Sequence, residues 1–136
     1  MSKVNAARWQ LDRAIELFLD NGDFICAITL TGAAEEILGK LLNDAQKTNA
    51  LNQFLDLCMF IQNADAERGD PPPEAMNFIK MANAQRDALK HVTDRGDVAI
   101  SEQDAIDMLD RSIANYMSLT GRDTPLILRY MAEARA

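Results

Sequence analysis

One histidine, one tryptophan, two cysteines and four prolines are all that this 136-residue chain holds of those residue types. A single histidine excludes a carboxylate-bridged di-iron bundle, which needs two Glu-x-x-His sets. It also leaves too few ligands for a Cys/His zinc site. Cys26 and Cys58 both lie inside apolar helical patterns and read as buried, reduced thiols suited to a reducing compartment; nothing calls for a disulfide. No apolar run approaches the ~20 residues of a membrane-spanning helix. No glycine-rich phosphate loop of the required spacing occurs. The start, Met1-Ser2-Lys3-Val4-Asn5, lacks the apolar stretch of a signal peptide. The expectation is a soluble cytoplasmic protein with no metal, no cofactor and no membrane contact.

Positive charge is scarce too. Fourteen Lys and Arg face 21 Asp and Glu, for a net charge of −7. That argues against a broad, non-specific nucleic-acid surface, because such binding is driven by cations that displace phosphate counterions. It does not exclude a local basic site. Between Met76 and Arg95, Lys80, Arg86, Lys90 and Arg95 stand against Asp87 and Asp94. Four cations less two anions leave +2 on this segment, so the remainder of the chain carries −9. The only histidine falls on the same segment.

What the chain does have is apolar residues, 48% of the total, recurring at three- and four-residue intervals. That is the period of a helical face. The spacing predicts a first helix over Asn5 to Asp20, with Val4, Ala7, Leu11, Ala14, Ile15 and Phe18 inward and Gly22 ending it. Asp23 can cap a second helix to about Leu42, with the stripe Phe24, Ala27, Ile28, Thr31, Ala34, Ile37, Leu38 and Leu41. The short loop between them makes an antiparallel hairpin. A third helix covers about Ala50 to Asn63 after an Asn49 cap, with Leu51, Phe54, Leu55, Cys58 and Ile61 inward. Ala64 to Pro73 reads as an exposed loop.

The last proline of Pro71-Pro72-Pro73 can open a fourth helix, about Glu74 to Thr93, closed by Gly96. Ser101 with Asp104 resembles a capping box for a fifth helix to about Thr120, with Ala105, Met108, Leu109, Ile113, Tyr116 and Met117 inward. Thr124-Pro125 opens a short sixth helix that packs on the core or clips onto a partner. No strand-like alternation of useful length occurs. The expected fold is all-α: one domain over 1–136, an antiparallel bundle of four to five main helices with its core at about 6–119, and a C-terminal appendage over 120–136. Trp9, alone in the first helix, reads as packing rather than as a base-stacking platform. Glu35 and Glu36 read as a solvent side, with Lys40 as a pairing partner.

The fourth helix carries the chemistry. On a wheel at ~100° per residue, Phe78, Met81, Ala82, Ala84, Ala88, Leu89 and Val92 gather on a core side, with Gln85 an exception among them. Lys80, Asn83, Arg86, Asp87, Lys90 and His91 gather on the opposite wedge. Met76 and Ile79 also fall there, which suggests that a second subunit or the sixth helix covers part of this face. Asn83, Asp87 and His91 stack at four-residue intervals; Asn83, Arg86 and Lys90 form the neighbouring row. Asp87 can accept a hydrogen bond from the His91 imidazole, fixing its tautomer and supporting its charged form. A histidine can take the proton of a ribose 2′-hydroxyl. A guanidinium can hold a phosphate and stabilise the charge that develops on it. Together they suit metal-free RNA cleavage to a 2′,3′-cyclic phosphate and a 5′-hydroxyl. The plain alternative is a solvated charged face with a structural histidine.

The run Asn83-Ala84-Gln85-Arg86-Asp87-Ala88-Leu89-Lys90-His91 resembles the signature helix of HEPN domains: an Arg, a polar residue, a short spacer and a His. Upstream, Ala27 to Leu38, with its small residues followed by Ala34-Glu35-Glu36 and aliphatics, is similar to an earlier helix of that family. The resemblance covers about Ala6 to Leu119. It implies a helical domain that dimerises so that two Arg-His motifs form one composite site. It also implies metal-independent endoribonuclease activity of the kind found in toxin–antitoxin, phage-defence and RNA-processing systems. By that resemblance Arg86 positions the phosphate, His91 transfers protons, and Asp87, Asn83 and Lys90 support them. Some members of the family bind rather than cleave. The alternative is thus a non-catalytic helical dimer that binds nucleotides or a regulatory protein partner. A phosphotransfer domain would want Lys three residues after the histidine and Gly next; Asp94 and Arg95 stand there, with Gly96 one later.

Overall fold

The computed structural model describes residues 1–47, 49–53, 55–57, 75–90 (backbone only at 75–81 and 90) and 97–134. Among the described residues all regular structure is helical. The helices are α1 (Lys3–Asn21), α2 (Phe24–Asp44), α3 (residues 50–53 and 55–57), α4 (Ala75–Lys90), α5 (Glu102–Thr120) and α6 (Pro125–Ala134). No helix among them is long and apolar enough to cross a membrane.

The helix ends are written in local chemistry. The Ser2 hydroxyl accepts from the Asn5 amide, which starts α1 two residues earlier than apolar spacing indicates. Gly22 ends α1 in the left-handed region at φ 60°, where a side chain would be strained. Asp23 then accepts from the Cys26 amide and starts α2. Ser101 and Asp104 form a reciprocal capping box at the head of α5: each side chain accepts from the other's backbone amide, at 3.2 and 2.9 Å. Asn49 caps α3 by accepting from the Asn52 amide at 2.8 Å. Thr124 caps α6 by accepting from the Ile127 amide, and Pro125 follows at the first helical position.

Buried apolar faces join α1, α2, α5 and α6. Leu11 and Ile15 of α1, Ile28 and Leu38 of α2, Leu109 of α5 and Ile127 of α6 are each at most 1% exposed. Fully burying a side chain of this size stabilises by ~1.5–3 kcal/mol, so this cluster is the main source of stability. Phe18 meets Tyr130 edge-on, with ring centroids 5.9 Å apart. The sixth helix thus belongs to the bundle. It packs on α1, and the Tyr130 hydroxyl donates to Asp110 of α5 at 2.8 Å.

Three apolar positions of α1, α2 and α5 fail on burial. Trp9 is 63% exposed and does not pack inside. Cys26 is exposed, because it lies in the first turn of α2, where Ala27 and Ile28 take the inward positions. Met117 is 37% exposed, at the edge of the α5 stripe. Cys58, Phe54 and Ile61, the loop over 64–73 and the Gly96 stop lie outside the described residues.

Candidate functional site

Over residues 82–89, α4 docks on α2 and α5 through the polar groups of Asn83 and Arg86 as well as through Leu89. Asn83 is 4% exposed and Arg86 is half-buried, whereas Ala84 and Ala88 are exposed. The wheel therefore misassigned these faces. Leu89, which packs against the core, and half-buried Ala82 behave as apolar spacing predicts, while the side chains of Phe78 and Met81 and all of Val92 lie outside the described residues. The reason for the inversion lies on α2. Glu35 points inward and is 4% exposed, and a buried carboxylate requires charged partners. Its partners are Arg86 and Arg111, not Lys40. Arg86 Nη1 donates to Glu35 Oε2 at 3.0 Å, and Arg111 Nη2 lies 3.6 Å from the same oxygen.

Arg111 does more than share Glu35. Its Nη1 donates to the Ala82 carbonyl at 2.9 Å and its Nη2 to the Asn83 side-chain oxygen at 2.8 Å. One planar guanidinium thereby fixes both the backbone and a side chain of α4. Burial pushes the Arg111 pKa below the usual arginine value; Glu35 opposes that shift and Arg86 adds to it.

Arg86 presents two unlike edges. Its Nη1 is held by Glu35, whose side chain is 5% exposed. Its Nε and Nη2 both reach Asp87 Oδ1 at 3.4 Å, a long, shared contact to a carboxylate that is 45% exposed. Asp87 is thus engaged by Arg86. Arg86 lines two hollows. One, of about 540 Å³, lies between α4 and α5 over Ile28 of α2, with Gln85, Met108 and Arg111 in its walls and Asp104, Asp107 and Asp110 around it. Gln85, an exception among apolar neighbours on the wheel, is accounted for by this hollow. The other, of about 150 Å³, is bounded by Thr29, Gly32, Ala33 and Glu36 of α2.

Of the five predicted site residues, the structure brings Asn83, Arg86 and Asp87 into one network. His91 and the side chain of Lys90 lie outside the described residues, as do the side chains of Met76, Ile79 and Lys80. The expected Asp87–His91 hydrogen bond lies there too. Reading the sequence missed Glu35 and Arg111 as members of the network. The available signal was Glu35 itself, which sits four residues after Thr31 and three before Leu38 on the apolar stripe of α2. Among the described residues no group of three or more His, Cys, Asp or Glu is placed to hold a metal ion. The chain matches no family model, no curated protein and no solved structure.

Proposed function

We propose that the Arg86 region of α4 handles an RNA phosphate, and that the chain is a metal-independent endoribonuclease of the HEPN-like kind, acting as a homodimer. The observation that carries this reading is the asymmetry of Arg86. Buried Glu35 holds one side of the guanidinium, while among the described residues the Nε–Nη2 edge meets the partly exposed Asp87 carboxylate at 3.4 Å. A phosphate can displace that contact and take both N–H groups as a fork, which is the strong geometry for arginine. In this reading His91 accepts the 2′-hydroxyl proton as the 2′-oxygen attacks phosphorus. The P–O5′ bond breaks, and the 5′-oxygen leaves as a hydroxyl by taking the proton that His91 received or one from solvent. Arg86 stabilises the charge on the non-bridging oxygens. Asp87, released from Arg86, is then the group that orients His91.

A second reading has its own support. All three guanidinium nitrogens of Arg86 already face carboxylates, and three aspartates surround the larger hollow beside it. That arrangement suits a non-catalytic module in which Arg86 only joins α4 to α2.

Incubation with structured and unstructured RNA in EDTA separates the two. The ribonuclease reading expects fragments ending in 2′,3′-cyclic phosphate from the wild type, and their loss in His91→Ala and Arg86→Ala proteins of matched helix content. RNA left equally intact by all three, with any regulatory partner removed, overturns it in favour of the module.

A further inference from the structure

We infer that Gly32 of α2 and Arg111 of α5 are positioning residues for Arg86, which rests on the reading of Arg86 as the phosphate-binding group. Glycine inside a helix costs roughly 1 kcal/mol relative to alanine, so its presence in the middle of α2 calls for a cause. The cause is contact. A Cβ at Gly32 would lie 2.5 Å from Arg86 Cδ and 2.7 Å from Cγ, far inside van der Waals separation. These are atoms in the middle of the side chain, so the stem itself would have to leave. Gly39, on the same helix, would meet its nearest neighbour only at an ordinary 3.5 Å. The trough at Gly32 lets the Arg86 stem lie against the backbone of α2. Glu35, three residues on along the same face, then receives Nη1.

Arg111 completes the seat from the other side. It holds α4 at Ala82 and Asn83, one turn before Arg86, so the helix cannot slide or turn where the guanidinium is presented. It also sets the charge. A lone Arg86–Glu35 pair would be neutral and would attract phosphate poorly. With Arg111 beside the same Glu35 oxygen, these three side chains carry +1, which Asp87 offsets until a phosphate displaces it from Arg86. The Nε–Nη2 edge of Arg86 is thereby fixed opposite Asp87 and becomes cationic when that contact is displaced.

The test uses the full chain and has two arms that need no RNA. In thermal unfolding, Gly32→Ala should lower the midpoint in the wild-type background and raise it in an Arg86→Ala background, where alanine gains its helix preference without a clash. In ¹⁵N NMR of the guanidinium groups, Arg86 N–H exchange should be slower than that of exposed Arg13. That protection should be lost in Gly32→Ala and in Arg111→Lys, which keeps the charge but not the fork. The same midpoint change from Gly32→Ala in both backgrounds overturns the seat, as does unchanged Arg86 exchange in both variants. A third arm reads RNA cleavage. Misplacement by ~1 Å costs on the order of 10²-fold, so both variants should lose about 10- to 100-fold in kcat with little change in KM. Unchanged kcat overturns the positioning role. A wild type that leaves RNA intact defeats the ribonuclease reading, while the first two arms still decide the seat.

Discussion

Arg86 and Glu35 stand 51 residues apart in the chain and meet at 3.0 Å, nearly sealed from solvent. Their contact joins α4 to α2 by charge, where α1, α2, α5 and α6 share one apolar core. Taking Glu35 away leaves two largely buried arginines without their shared carboxylate, which costs more than the pair contributes.

Glu35→Ala should therefore destabilise strongly, by about 3–5 kcal/mol, because it leaves both Arg86 and Arg111 without their common carboxylate. Glu35→Gln, which keeps one acceptor, should cost less. Urea unfolding followed by circular dichroism checks both. The loss should change little between low and high salt, since screening by ions is weak for buried pairs.

Two aspartates of α1 should respond to acid in opposite directions. Burial raises the Asp12 pKa above its ordinary 3.8, and the hydrogen bond from Thr124 only partly offsets it. The folded state then holds the proton more tightly than the unfolded chain, so this group adds stability as pH falls through its folded value and towards 3.8. Asp12→Asn should be more stable than wild type at neutral pH, with the gap closing in acid. The hydrogen bonds from Arg129 lower the Asp20 pKa below 3.8. Its contribution is present above 3.8 and disappears as pH falls through the lower folded value. Asp20→Asn should lose stability at neutral pH, an effect reduced by salt and gone in strong acid. Unfolding midpoints across a pH series separate the two.

Ser101→Ala removes one half of the α5 capping box. A loss of roughly 1 kcal/mol is expected, with the first turn of α5 exchanging its amide protons faster. Hydrogen exchange at Asp104 and Ala105 reads this directly. Asp104→Ala should remove the other half and, with Ser101→Ala, give less than the sum of the two losses.

Tyr130 tests the place of α6. Tyr130→Phe forfeits the bond to Asp110 and should cost about 1 kcal/mol. Tyr130→Ala also opens a cavity against Phe18 and should cost about 3–5 kcal/mol. If α6 were only a clip for a partner, neither change would move the unfolding of the isolated chain.

Helix ends were the most legible part of the sequence, because a cap depends on residues within three positions of itself. Gly22, Asp23, Asn49, Ser101 with Asp104, and Thr124 with Pro125 all act where local spacing places them. The stripes of α1 and α2 were legible for the same reason: each faces a continuous apolar core. α4 was not, because one buried carboxylate on another helix decided which of its faces turns inward. Asn83 and Arg86 look like surface residues until Glu35 and Arg111 are known to lie beneath them. Periodicity describes a helix against an apolar partner and has no account of a polar one. Gly32 carried a faint signal, a costly residue in a strong helix, but its meaning depends on a side chain 54 positions away.

The Asp12–Thr124 hydrogen bond, at 2.7 Å, spans 112 positions of the chain. Bringing together the ends of so long a segment costs ~4 kcal/mol in loop entropy, a debt the α1–α6 contact must meet before it stabilises anything. During synthesis α1 waits for most of the chain to appear before its α6 partner exists, and until then Phe18 has its α2 neighbour Phe24 but not Tyr130. This topology makes the protein a late-closing folder. Its nascent chain depends on the α1–α2 hairpin alone to keep that side chain from aggregation.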